Sequence, residues 1–152
     1  MIVLIGYGNP LRRDDGVGPV LARMIGTRCR PGDLRVLTPH QLVPELAEGL
    51  AEKDVTAVLF LDARVNDDEG GAKVTVHPVS GAAPSPAFGH HFSPAELLLY
   101  AELLRGSPLP AWQVSVPGDD FGFGEGLSCR TEKSLAAACD MLENFLIFLS
   151  RQ

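Results

Sequence analysis

Three residues with side chains that could bind a cation stand out: Asp15, Asp62 and His91. Asp15 lies in the glycine-rich segment GYGNPLRRDDGVG, which follows the first apolar run of the chain. Asp62 follows the apolar run VLFL, where an acid is either a site residue or a cap for the next segment. Carboxylate and imidazole ligands together suit a borderline divalent ion such as nickel or zinc. Spacing alone does not bring these three residues together, because they are distant in sequence. The adjacent His90 also leaves the choice of histidine open by one residue.

The glycine-rich segment has two possible uses. Gly6 and Gly8, directly after a predicted strand, could begin a dinucleotide-binding loop. The third glycine of that pattern is replaced by Leu11, however, and Asp14 and Asp15 stand where the helix N-terminus would meet a phosphate. Carboxylates at that place repel phosphate and favour a cation. A cation site is therefore the main hypothesis, and a nucleotide- or sugar-phosphate-binding enzyme is an alternative.

Alternating strand-like and helix-like segments must position these side chains. Apolar runs rich in β-branched residues predict strands at Ile2–Ile5, Leu34–Leu37, Val55–Leu61, Lys73–His77 and Trp112–Val116. Apolar spacing and capping residues predict helices at Val17–Ile25, Val43–Leu50, Pro94–Arg105 and Arg130–Leu149. This order predicts an α/β fold: a single-domain three-layer sandwich over residues 1–152, with a mainly parallel twisted sheet of about five strands and helices on both faces. Ligands of such sheets bind at the carboxyl ends of the strands, where Asp15 and Asp62 are expected.

The helix after His91 has the clearest start signal in the chain. Ser93 suits the N-cap, Pro94 suits the first helical position, and Glu96 completes a capping box. The predicted helix therefore begins immediately after the two histidines and places them on its entry loop.

Composition restricts the partners and the compartment. The 152 residues carry 13 Lys and Arg against 19 Asp and Glu and have no basic cluster, so nucleic acid is not an expected partner. The N-terminal apolar run is too short to cross a bilayer, and no membrane partner is expected. Three widely spaced cysteines fit no disulfide framework, which favours a reducing cytoplasm. We expect Cys129 and Cys139 to be buried as small apolar side chains.

The opening loop resembles the signature of the nickel-iron hydrogenase maturation proteases. The residues Gly6-x-Gly8-Asn9-x-Leu11-x-x-Asp14-Asp15-Gly16-x-Gly18 match the pattern GxGNxLxxDxGxG, with an acidic residue after the first aspartate. The likeness continues through the strand ending at Asp62, the His91 loop with its helix, and Ser128 before the last helix. It covers essentially the whole chain. One departure is the turn after the second strand, Thr38–Leu42, which is glycine-rich in some relatives.

The resemblance implies a hydrolase that removes the C-terminal extension of a hydrogenase large-subunit precursor after nickel insertion. It assigns Asp15, Asp62 and His91 as the metal ligands and the catalytic residues. Nickel would be presented by the precursor rather than permanently bound. HExxH and GxSxG are both missing from the sequence, so zinc- and serine-protease templates do not apply.

Other interpretations stay open at this point. A non-catalytic nickel carrier for hydrogenase assembly could use the same three ligands. His40, on the divergent turn, is either a substrate-recognition residue or a structural one, and His77 is taken as structural. No residue decides the oligomeric state or which hydrogenase is processed, and a monomer is the simplest expectation.

Overall fold

The computed structural model describes residues 1–29, 32–66, 73–83 and 92–152. Within these ranges one sheet has the strand order β2-β1-β3-β5-β4. Its strands are β1 (Ile2–Gly6), β2 (Leu34–Leu37), β3 (Ala57–Val65), β4 (Thr75–Val79) and β5 (Ala111–Gly118). All neighbours pair in parallel except β4, which lies antiparallel to β5 at one edge. The mainly parallel α/β sheet predicted from the sequence is confirmed.

Helices cover both faces of this sheet. They are α1 (Val17–Arg28), α2 (Leu46–Leu50), α3 (Pro94–Arg105) and α4 (Cys129–Leu149), and a 3-10 turn (Arg13–Gly16) precedes α1. Side chains alternate along β3, so that Leu59 and Leu61 pack with α1 and α4 in one buried cluster. Val58 and Phe60 pack with α2 and α3 in the other cluster. The three predicted layers are therefore present.

Several element boundaries differ from the predictions by a few residues, and three of these differences have a clear physical reason. β3 runs on through Asp62, because β5 continues to pair with it as far as Val65. α2 starts only at Leu46, since the residues before it form turns around Pro44, which has no amide hydrogen to donate. β4 lies two residues later than predicted and contains Pro78, which an edge strand tolerates.

The orientation of α3 follows from its two ends. The Arg105 guanidinium, at the last residue of the helix, donates to the Val55 carbonyl oxygen at 2.7 Å, just before β3 begins. The helix therefore ends at the amino ends of the strands. Its 12 residues extend about 18 Å, which places its start near the opposite, carboxyl edge of the sheet. At that start the predicted capping box is confirmed: Ser93 Oγ accepts from the Glu96 amide at 3.2 Å, and the Glu96 carboxylate accepts from the Ser93 amide at 2.7 Å.

Two further sequence expectations concern burial. No helix in the described ranges is long and apolar enough to cross a membrane. Cys139 is buried in the α1–α4 layer as predicted. Cys129 is exposed, and the prediction for it was wrong, because the first turn of α4 directs this residue towards solvent.

Candidate active site

Asp62 is held by three side chains at the carboxyl end of the parallel strands. It lies on β3 opposite Ser115 of β5, whose hydroxyl donates to Asp62 Oδ1 at 2.7 Å. Gln113, two residues earlier on β5 and therefore on the same face, donates from Nε2 to Asp62 Oδ2 at 2.7 Å. The Tyr7 hydroxyl, from the loop after β1, donates to the same Oδ2 at 3.1 Å. Asp62 is thus an oriented side chain within β3 and not a cap for the next segment.

Burial and hydrogen bonding act in opposite directions on the pKa of Asp62. Desolvation raises the pKa of the carboxyl group above its usual value, and the nearby charge of Asp15 raises it further. Hydrogen bonds from Ser115, Gln113 and Tyr7 stabilise the ionised form and lower the pKa in part. Tyr7 has its own pKa raised, first by burial and then by the charge of Asp62, so its hydroxyl stays protonated and donates.

Asp15 comes to this site from the glycine-rich loop. The loop links the end of β1 to α1, and Asp15 lies in its 3-10 turn. Its Oδ2 accepts from the Asn9 amide at 2.7 Å, which fixes the carboxylate relative to the loop backbone. Its charge acts on both Tyr7 and Asp62, so the two predicted carboxylates share one neighbourhood. Two partly desolvated carboxylates close together make a site that attracts cations.

The glycines of this loop are required by packing within the protein. Gly8 has a φ of +142°, and a Cβ there would overlap the carbonyl oxygen of Asp15. A Cβ on Gly18 would overlap the Leu61 carbonyl oxygen and lie 2.8 Å from that of Tyr7. Gly8 therefore allows the two ends of the loop to pack closely together, and Gly18 allows α1 to pack closely on β3. These close approaches explain the glycine pattern without a phosphate ligand.

Asp14, the neighbour of Asp15, has a structural role that the sequence did not reveal. It is fully buried, and its carboxylate accepts the backbone amides of Asp119, Asp120 and Ser128 at 2.7–2.9 Å. The hydroxyls of Ser128 and Thr131 complete the set at 2.7 and 2.9 Å. Burial opposes its ionisation, but the hydrogen bonds outweigh burial and lower the pKa of Asp14 to about 2. This carboxylate fastens the opening loop to the loop before α4.

Only two of the four histidines considered in the sequence lie within the described residues. His91 and His90 both lie outside the described residues, so the third predicted ligand and the choice between the two stay predictions. The described ranges contain no cluster of three or more His, Cys, Asp or Glu side chains arranged to hold a metal ion. His40 is exposed on the loop after β2, and His77 is exposed on β4.

A cavity of about 620 Å³ lies elsewhere on the molecule. It is lined mainly by residues at the amino ends of β1 and β2 and the last turns of α1 and α4, including Ile2, Leu34 and Leu146. That edge is opposite to the one bearing Asp62. The cavity contains the exposed Arg28–Glu143 ion pair but no pair of partly buried carboxylates, so it is not the candidate site.

The partners of Asp62 were missed at the sequence level, although one signal was available. Gln113 and Ser115 alternate with the apolar residues Trp112, Val114 and Val116 on a strand of a sheet that was expected to have helices on both faces. Two polar residues on one face of such a strand indicate a polar group facing them. Tyr7 had no comparable signal.

No protein-family model matches this sequence, and no curated protein matches it. The fold, however, matches solved structures. A nickel-iron hydrogenase maturation protease HycI from Thermococcus kodakarensis superposes with a TM-score of 0.75 at 18% identity, covering 95% of this chain and 91% of that one. The hydrogenase maturating endopeptidase HybD from E. coli gives 0.71 at 20% identity, covering 93% and 88%. A hydrogenase 2 maturation peptidase from a Thaumarchaeota archaeon gives 0.64 at 18% identity, covering 95% and 97%.

The fold and the site together define an α/β protein with an acidic site at the carboxyl ends of its parallel strands. More particularly, the chain has the fold of the hydrogenase maturation proteases. The fold expected from the opening loop is thereby confirmed.

Proposed function

We propose that this protein is an endopeptidase of hydrogenase maturation. It removes the C-terminal extension of a nickel-iron hydrogenase large-subunit precursor in the cytoplasm, and it recognises nickel that the precursor carries. The observation that supports this most is the position of Asp15 and Asp62 at the carboxyl ends of neighbouring parallel strands, in a fold shared with hydrogenase maturation proteases. The loop signature in the sequence agrees with that position.

The residues present suit nickel as part of the substrate. Two neighbouring carboxylates favour a cation, and one imidazole from His91 would complete a mixed oxygen and nitrogen set for a borderline ion. Nickel held by the precursor would supply either a Lewis acid at the scissile carbonyl or a mark for recognition. Asp15 and Asp62 would bind this cargo and so position the adjoining peptide bond against the strand ends.

A processing assay tests the proposal. Purified protein is incubated with a nickel-loaded large-subunit precursor and, separately, with the nickel-free precursor, and the product masses are measured. We expect the loaded precursor to lose its C-terminal extension and the nickel-free precursor to remain intact. An intact loaded precursor, together with tight nickel binding by this protein alone, would instead identify a nickel carrier.

Matched variants test the ligand assignment. Asp15→Ala and His91→Ala proteins should fail to process the loaded precursor, because each loses one ligand. His90→Ala is the control for the histidine, since it changes the adjacent imidazole only. Processing at the normal rate by either Asp15→Ala or His91→Ala would contradict the assignment.

The glycine loop argues against the nucleotide-binding alternative. Its close backbone approaches are made to the protein's own carbonyl groups, and Asp15 lies where a phosphate would have to bind. Thermal stabilisation by nucleotides would contradict this argument, and we expect none.

A further inference from the structure

The two oxygens of Asp62 are not equivalent. A carboxylate oxygen has two lone pairs in the plane of the group. Oδ2 accepts two hydrogen bonds, from Tyr7 at 3.1 Å and from Gln113 at 2.7 Å. Oδ1 accepts from Ser115 at 2.7 Å, and within the described ranges this is its one hydrogen bond. Within the described ranges Oδ1 therefore carries fewer hydrogen bonds than Oδ2 and is the oxygen more open to an incoming group.

The donors around Asp62 have defined directions. A carboxylate can only accept, so the Gln113 amide must turn its NH₂ group towards Oδ2. For the same reason the Tyr7 hydroxyl must direct its hydrogen towards Oδ2. Gln113 and Ser115 are neighbours on the same face of β5, and the paired strands hold both at a fixed register from Asp62. The carboxylate is therefore held from two sides, by β5 and by the loop after β1.

We propose that Tyr7, Gln113 and Ser115 are positioning residues that present Oδ1 of Asp62, rather than Oδ2, to the precursor. This inference rests on the proposed function and adds to it the atom that makes the contact and the residues that select that atom. Loss of a donor to Oδ2 would free that oxygen and allow the carboxylate to rotate, so Oδ1 would be misplaced. Partners that orient a ligand in this way commonly change activity by about 10- to 100-fold.

The test uses the processing assay with variants that remove one donor each. Tyr7→Phe removes only a hydroxyl, and Gln113→Leu removes the amide while nearly preserving the side-chain shape. We expect kcat to fall by about 10-fold or more in each, with a smaller change in KM. Ser115→Ala should behave in the same way, and Ser115→Thr, which keeps the hydroxyl, should restore most of the rate.

Controls separate positioning from general damage. Tyr100→Phe on α3 and Ser134→Ala on α4 each remove a hydroxyl group away from Asp62, and they should leave kcat unchanged. The thermal midpoints of the three donor variants should stay close to that of the wild type. A loss of activity that followed a loss of folding stability would overturn the inference.

A double variant supplies the sharpest readout. Tyr7 and Gln113 act on the same oxygen, so the combined kcat loss of Tyr7→Phe with Gln113→Leu should be smaller than the product of the two single losses. Multiplicative losses would mean independent roles and would overturn the inference, as would wild-type kcat in the single variants. A wild-type protein that leaves the loaded precursor intact would refute the proposed function itself, which distinguishes the two failures.

Discussion

Asp14 Oδ1 accepts a hydrogen bond of 2.7 Å from the backbone amide of Ser128, a residue 114 positions further along the chain. The Ser128 hydroxyl also donates to Asp14 Oδ2 at 2.7 Å, while the same residue serves as the N-cap of α4. One buried carboxylate thus joins the opening loop, which carries Asp15, to the start of the last helix. The position of the candidate site depends on that junction.

Substitution of Asp14 should therefore destabilise the fold strongly. Asn would keep the shape but turn an NH₂ group towards donors, which leaves buried amides without acceptors. We expect Asp14→Asn to lower the free energy of unfolding by about 3 kcal/mol, measured by urea denaturation. Asp140→Asn, an exposed change on α4, is the control and should cost less than about 0.5 kcal/mol. A wild-type midpoint for Asp14→Asn would contradict the structural role.

The same carboxylate predicts a dependence of stability on pH. The pKa of Asp14 is about 2 in the folded protein, against an ordinary value of 3.8 for an aspartate side chain. A pKa that is lower in the folded than in the unfolded protein stabilises the fold at every pH above the unfolded pKa. This stabilisation is lost as the pH falls from about 5 towards 2. The contribution at neutral pH is about 2 kcal/mol. Between pH 7 and pH 3 the urea midpoint should fall more for the wild type than for Asp14→Asn. Equal falls in the two proteins would contradict the prediction.

The close approach of α1 to β3 gives a third prediction. A Cβ on Gly18 would overlap the Leu61 carbonyl oxygen, so Gly18→Ala must move the helix away from the sheet. We expect a loss of about 3 kcal/mol in the free energy of unfolding. Gly49→Ala is the matched control, because Gly49 lies in α2 with 3.8 Å to its nearest neighbour and should gain about 0.5–1 kcal/mol. Equal effects in the two variants would refute the packing argument.

Most of the fold could be predicted because the sequence signals are local. The apolar runs and the capping box at Ser93 predicted the strands and helices to within a few residues. The alternation of strands and helices predicted the α/β fold class. The end of β3 was misplaced, since the pairing that carries it past Asp62 comes from β5, about fifty residues later. Pairing between distant segments leaves no mark in either segment alone.

The candidate site was predictable only in part, for the same reason. Asp15 and Asp62 could be placed at one edge of the sheet because parallel strands share their carboxyl ends. The contrast between Asp14 and Asp15 could not be foreseen, because it depends on where the loop before α4 returns. Asp14 and Asp15 are adjacent and chemically identical, but only Asp14 is fully buried. Its environment comes from Asp119 and Ser128, more than a hundred positions along the chain.

That contrast leads to a prediction for Asp15. Its carboxylate accepts the Asn9 amide through Oδ2, and an Asn side chain can keep this bond through its own carbonyl oxygen. Replacement also removes a negative charge close to Asp62, whose pKa that charge raises. We expect Asp15→Asn to lose precursor processing while its free energy of unfolding stays unchanged or rises by up to about 1 kcal/mol. Urea denaturation measures the stability of Asp15→Asn, and the processing assay measures its activity. In the urea experiment Asp14→Asn should instead show a large loss of stability. A destabilisation of Asp15→Asn as large as that of Asp14→Asn would show that both aspartates are structural.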